Sequence, residues 1–242
     1  MSNDLLSNDP AAKIYSGQLG KKYHEQKRHL HPTALPWVME LRAKKFQPHV
    51  RASDLVFEMG VGSGWNLGRL NCAKRLGCDA ADFLEKDVKA LDITFFRNIK
   101  DVPTAIADVA ICHQTLEHLL HPAATLTELL RILKPSGQLI LHVPWERERR
   151  YARYRPEEPN HHLYNWNAQN IGNLVEVLGY RIKSVCVLRY GYDRFAANLA
   201  VRLHGGEAAF RIIRTLMIAA RPLREIELIA AREKRNVSPI ST

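Results

Sequence analysis

The chain has 242 residues, 46% of them hydrophobic, enough to bury a full core in one domain. Its formal net charge of +10 excludes an acidic, solvating protein and favours acidic partners. Nothing in the sequence approaches a transmembrane length, and the first thirty residues carry charges without the apolar run of a signal peptide, so a soluble cytoplasmic protein is expected.

Residues 1–50 read as an N-terminal extension with helical character. Between Asp54 and Leu70 the chain runs DLVFEMGVGSGWNLGRL: an apolar strand-like stretch ending at Glu58, glycines at 60, 62 and 64, then an expected helix. Alternate glycines permit backbone dihedrals closed to other residues and remove the Cβ atoms that would hold a ligand away. The loop is built to touch something. Trp65 stands where a dinucleotide fingerprint needs its third glycine, and no lysine follows these glycines as a phosphate loop requires. A carboxylate at the mouth of the turn, from Glu58, would repel a pyrophosphate but favour a ligand bearing ammonium or sulfonium charge.

Glu58-Met59-Gly60-Val61-Gly62-Ser63-Gly64 matches every signature position of E/D-x-G-x-G-x-G, and on that motif the chain resembles the class I S-adenosylmethionine-dependent methyltransferases. The resemblance implies an α/β fold, a Rossmann-like seven-stranded sandwich with a helical N-terminal extension and a helical C-terminal cap. It implies S-adenosylmethionine as cofactor, held by Glu58, Gly60, Gly62 and Gly64. Downstream, Gly77 to Asp82 looks like the family's second strand, whose terminal acid accepts hydrogen bonds from the cofactor ribose. Asp82 takes that role by position, 24 residues after Glu58, with Asp79 as the second choice. The third strand is expected at Ile93 to Phe96, followed by Asn98 where the family often places an acid near the adenine.

Ala107 to Leu119 resembles the family's D-x-V-x-x-x-x-x-L-E-H segment, which implies that His113 and Gln114 lie beside the methionine part of the cofactor. The spacing of His113, Glu117, His118 and His121 fits no established zinc helix, so no metal is assigned. Leu126, Leu129, Leu130 and Leu133 recur at helical spacing before Pro135, and Leu133-Lys134-Pro135-Ser136-Gly137 resembles the family's L-K-P-G-G turn, leading into a fifth strand at Gln138 to Val143. A polar cluster from Trp145 to Glu158 then leaves the strand edge as either a substrate lid or a solvated loop, with Trp145 a candidate substrate contact. Asn160 to Trp166 resembles the H-x-x-x-[FWY] element of small-molecule methyltransferases. His161 and His162 are the candidate general bases and Tyr164 a second substrate contact, a histidine being the natural group to take a proton from a hydroxyl acceptor.

Ile171, Leu174, Val175 and Leu178 predict a helix closed by Gly179. Strands at Ile182 to Leu188 and Glu225 to Ala231 complete the sheet, the last hairpin antiparallel. The expected division is a cofactor-binding core over 51–189, a helical cap over 190–224 and a last strand over 225–232. In the cap, Phe210, Ile212, Ile213, Leu216 and Met217 share a helix with Arg211, Arg214 and Arg221, a pattern that suits a core face or peripheral contact with an anionic membrane. Cys72, Cys78, Cys112 and Cys186 lack metal spacing and are expected to be buried and reduced. The acceptor expected is a small molecule or a lipid- or sugar-linked metabolite. Nucleic acid is less favoured, because the chain lacks the N/D-P-P-[FYW] tetrapeptide of nucleobase amino-methyltransferases. A catalytically silent adenosyl-ligand-binding or scaffold protein, an RNA methyltransferase and an NAD-dependent oxidoreductase are the alternatives.

Overall fold

The computed structural model describes residues 10, 12–27, 29–145, 153–155 and 160–233, so most of the polar cluster after Trp145 lies outside the described residues. Seven strands form one sheet: β1 (Leu55–Met59), β2 (Lys74–Cys78), β3 (Ile93–Phe96), β4 (Ala107–His113), β5 (Leu133–Pro144), β6 (Tyr180–Tyr190) and β7 (Leu223–Arg232), in the order β3-β2-β1-β4-β5-β7-β6. Val56, Phe57 and Glu58 are buried in succession, as expected for a central parallel strand covered on both faces. β7 runs antiparallel to both β5 and β6, confirming the expected hairpin. The carboxyl ends of the other strands therefore meet the amino end of β7 along one edge of the sheet.

Helices α1 (Ala12–Tyr15), α2 (Gly17–Lys27) and α3 (Leu35–Phe46) belong to the N-terminal extension. The C-terminal end of α3 is seated on the sheet edge, where Phe46 sets its ring 5.6 Å from that of His113 and 5.5 Å from that of His142. Helix α4 (Glu85–Lys89) follows β2, α5 (Pro122–Ile132) precedes β5 and α6 (Ala168–Val177) precedes β6. Leu126 and Leu129 turn inward as their spacing predicts, whereas Leu133 already belongs to β5. Asn167 and Asn170 close a reciprocal capping box at the start of α6, and Gly179 ends the element at φ +91°. Asn167→Ala should lower stability by about 1 kcal/mol, read as a shift in the urea midpoint at constant slope.

The helix expected after Gly64 does not form. Residues 60–71 are a chain of turns, in which Gly68 N–H donates to the Gly64 carbonyl (2.9 Å) and Leu70 N–H to that of Leu67 (2.9 Å). Gly64, Asn66, Gly68 and Asn71 all disfavour helix, and a Cβ at Gly68 would fall 2.3 Å from Met39 Cε of α3. Leu67 and Leu70 are nonetheless fully buried, packed in one cluster with Phe46, so α3 supplies the covering helix that the loop does not.

Helices α7 (Asp193–Arg202) and α8 (Gly206–Ala220) lie between β6 and β7 as the expected cap. Ala196, Ala197, Ala200 and Phe210 share a small core with Ala34 and Val38, and the rings of Trp37 and Phe210 stack at 6.2 Å. The two ends of the chain thus pack on each other above the sheet edge. Only Phe210 of α8 is buried; Ile212 and Leu216 are 61% and 64% exposed, so a purely core-facing helix is not what forms. Cys78 and Cys112 are buried, and burial pushes both thiols well above their ordinary range. Cys72 and Cys186 depart from expectation: Cys72 is only half-buried, and Cys186 is exposed because β6 is an edge strand. Among the described residues no helix is long and apolar enough to cross a membrane.

Candidate active site

At the head of β1 the chain turns on glycines at φ +73° (Gly60), +51° (Gly62) and +73° (Gly64). The Gly60 and Val61 amides both donate to the Cys78 carbonyl, at 2.8 and 3.1 Å, tying the loop to the end of β2. A Cβ on Gly60 would lie 2.1 Å from Thr115 Oγ1, so only glycine fits between β1 and the loop after β4. Glu58, fully buried beneath the turn, accepts a hydrogen bond from the Asn66 side-chain amide.

Asp79 is the first residue beyond β2. Its Oδ2 accepts from Gly62 N–H at 2.7 Å and its Oδ1 from Ala81 N–H at 2.9 Å. Asp82, which the spacing favoured, is exposed and opens a short helical turn over Asp82–Leu84. The strand ends at Cys78 rather than Ala81, and this moves the strand-end position to Asp79. Asn98 is half-buried, with its Oδ1 accepting from Lys100 N–H at 3.0 Å to cap the turn Ile99–Asp101.

In front of the glycine loop lies a cleft of about 1560 Å³, lined among others by Gly60, His113, Gln114, Trp145 and His162. Its floor is polar. Lys45, reaching over from α3, has its Nζ 3.1 Å from His113 Nε2 and donates at 2.5 Å to Glu225 Oε1, while Gln114 Nε2 donates to Glu225 Oε2 at 3.2 Å. His142 Nδ1 approaches Glu225 Oε1 to 3.5 Å. Burial acts to raise the Glu225 carboxyl, but His142 and the Lys45 charge outweigh it and hold the group down to about 2. Burial likewise lowers Lys45, with Glu225 opposing, and lowers His142. An anionic Glu225 beside a cationic Lys45 is the state that this geometry favours.

On the other wall, the Tyr15 hydroxyl lies 2.8 Å from His118 Nδ1 and 3.1 Å from the Asn160 carbonyl oxygen. A carbonyl can only accept, so the single phenolic proton points to Asn160 and His118 Nδ1 is the donor to Tyr15. His118 Nε2 then faces Glu117 Oε1 at 3.7 Å, and the His118 and His162 rings meet edge to face at 4.8 Å. Ligand atoms of Glu117, His118 and His162 lie within 4.8 Å of one another, whereas His113 of the same run meets Lys45 instead. His161 is exposed at φ +50° and lies outside the cleft lining. Tyr164 departs from its expected place as well: its hydroxyl donates to the Leu120 carbonyl at 2.9 Å and its ring stacks on Trp166, which makes it an anchor of the loop.

The sequence reading passed over Lys45, Asn66 and Glu225. Glu225 carried a signal, a carboxylate heading an apolar strand; Lys45 and Asn66 carried none, since only the seating of α3 and the folding of the turns bring them to Glu225 and Glu58.

A family model described as a methyltransferase domain matches residues 27–185. A probable S-adenosylmethionine-dependent methyltransferase of Mycolicibacterium smegmatis is 28% identical over 166 residues, covering 65% of this chain and 63% of that protein. The chain spans about three fifths of the length of the curated relatives it matches. Among solved structures, a Thermotoga maritima protein described as a "SAM-dependent methyltransferase, possible histamine N-methyltransferase" shares the fold at a TM-score of 0.61, with 14% identity over 92% of this chain and all of that one. The [4+2]-cyclase SpnF shares it at 0.56, with 20% identity over 81% of this chain and 80% of that one. At these identities the structural likenesses establish the fold alone, and a cyclase among them shows how much chemistry one fold accommodates.

Proposed function

The chain belongs to the methyltransferase-domain family and takes S-adenosylmethionine as its cofactor, and from that premise we propose that it transfers the methyl group to a small-molecule or lipid- or sugar-linked acceptor bound in the cleft. The observation that carries this reading is the glycine turn: three positive-φ glycines above a buried Glu58, joined through Gly62 to Asp79, with Gly60 lining the cleft. These residues fit the cofactor, because Gly60 lines the cleft in front of the turn and Asp79 retains lone pairs for hydroxyl donors. When bound, the cofactor supplies a methyl group already activated on sulfur.

In this reading Gly60, Gly62, Gly64 and Asp79 hold the cofactor, with His113 and Gln114 beside its methionine end. Glu58 fixes Asn66 and so the loop. Trp145 packs against the acceptor from the far side. The chain's own contribution is chiefly to align two bound groups, for which no further catalytic residue is chemically demanded. If the acceptor is a hydroxyl, His162 is the base, because it lines the cleft whereas His161 does not. His162→Ala should leave cofactor affinity unchanged and lower turnover about 100-fold or more, with loss of the lower-pH limb of the rate profile; equal turnover at every pH would remove His162 from the mechanism.

Exposed Ile212 and Leu216, beside Arg211 on the cap, support a peripheral contact with anionic membrane. Co-sedimentation with anionic vesicles should fall in Ile212→Ser plus Leu216→Ser, and an unchanged bound fraction would discard that contact. The reading as a whole, a cytoplasmic methyltransferase, is tested by a labelled-methyl screen of fractionated metabolite, lipid and RNA pools. Label entering RNA alone would favour the nucleic-acid alternative. Cofactor binding with no label transferred to any pool would favour a silent binding protein.

A further inference from the structure

The lining of the cleft is strongly unbalanced in charge, with eight lysines and arginines against three carboxylates. Two of the three are already engaged. Asp193 lies 2.6 Å from Arg214 and 4.0 Å from Arg42, and Glu225 is paired with Lys45. The third, Glu117, sits against His118. The excess positive charge is concentrated where β6 ends and α8 runs into β7, in Arg189, Arg221 and Arg224.

Arg189 and Arg224 are direct partners in the antiparallel ladder, so their side chains leave the sheet on the same face. Like charges opposed in this way destabilise a sheet. Among the described residues no carboxylate stands within ion-pair range of Arg189, Arg221 or Arg224; the Arg224 guanidinium instead lies 5.0 Å over the Trp145 ring. Stability of the strand pair gives no reason for two arginines opposed across the ladder at the rim of a cleft. A bound dianion does, because the planar forks of two arginines match phosphate oxygens in pairs. The hairpin also lies on the far side of the cleft from the glycine turn. β7 is two strands from β4 in the sheet order, roughly 10 Å along the edge.

We propose that the acceptor is anionic, carrying a phosphate or pyrophosphate ester that Arg189 and Arg224 grip, with Arg221 beside them, about 10 Å from the atom that receives the methyl group. This rests on the methyl-transfer reading of the same cleft. It narrows the acceptor class from any small or conjugated metabolite to phosphate esters, and Trp145 and Tyr190 at the same rim provide flat surfaces for the group that the phosphate is attached to.

The full chain, saturated with S-adenosylhomocysteine, is titrated with inorganic pyrophosphate by calorimetry at low salt, and separately with vesicles containing phosphatidic acid. Saturable binding of either probe, weakened at least tenfold in Arg189→Gln plus Arg224→Gln and unchanged in Lys183→Ala further along β6, supports the proposal. Vesicle binding without pyrophosphate binding assigns a lipid-borne phosphate, and the reverse assigns a soluble ester. No binding of either probe, or affinity equal in wild type and the double variant, overturns it. The melting temperature of Arg189→Gln should be unchanged or higher; a lower value would give the arginine pair a structural role and overturn the proposal too. Binding of S-adenosylhomocysteine is measured first in every variant. Failure at that step counts against the methyl-transfer reading, whereas failure at the pyrophosphate step counts against the anionic acceptor alone.

Discussion

Lys45→Met is expected to destabilise the protein by about 3 kcal/mol, because it strands a buried carboxylate whose principal positive partner is gone. Glu225 is 1% exposed and Lys45 donates to it directly. The double substitution Lys45→Met plus Glu225→Leu should recover most of that loss, since removing both charges also removes both desolvation costs. Urea denaturation of the two single variants and the double variant measures the coupling, and strictly additive losses would show that the two groups do not interact. The wild-type pair also predicts a pH dependence. Glu225 is depressed from an ordinary 4.5 to about 2 in the folded state, so its contribution is fully present above about 4.5 and is lost as the pH falls towards 2. A shift of that size corresponds to about 3 kcal/mol. Glu225→Gln should therefore flatten the acid limb of the stability profile, and an acid limb identical to wild type would refute the assignment.

Asp79→Ala is expected to weaken S-adenosylmethionine binding by about 1.5–3 kcal/mol, a loss of about tenfold to more than a hundredfold, through hydrogen bonds to a charged acceptor. The same change also releases the Gly62 amide from its 2.7 Å bond, so the loop and the ligand lose a partner together. Asp82→Ala should change the affinity by less than about 0.5 kcal/mol, as a surface substitution does. Calorimetry on both variants decides the question. A larger effect at Asp82 would return the ribose contact to the position first expected from spacing.

Much of the sheet was readable because strands such as β1, β3 and β4 are largely apolar runs, and because a central parallel strand needs no alternation to be recognised. Ile93 to Phe96 was placed to the residue. The errors lie where the signal is a boundary or a long-range contact. Asp79 follows Cys78 immediately, so the first polar residue after the apolar run marked the strand end; counting a longer strand moved the assignment three residues on. The missing helix after Gly64 reflects Gly68 and two asparagines, residues that favour turns over a continuous helix. Tyr164 has the composition of a substrate contact, and only its bond to the Leu120 carbonyl reveals an anchor. Lys45 had no local mark at all. Its importance comes from the ring of Phe46, which seats α3 against His113 and His142.

The Lys45–Glu225 contact joins residues 180 positions apart, and the stacked pair Trp37 and Phe210 closes the same circuit in sequence. Closing so large a loop costs chain entropy before any contact compensates it, which makes these contacts late events in folding. The glycine turn and its neighbours β1, β2 and β4 can assemble from a contiguous stretch, while the floor of the cleft cannot exist until β7 has been synthesised and threaded between β5 and β6. During synthesis, a nascent chain that has not yet released β7 from the ribosome would hold a nearly finished glycine turn facing an unbuilt cleft floor.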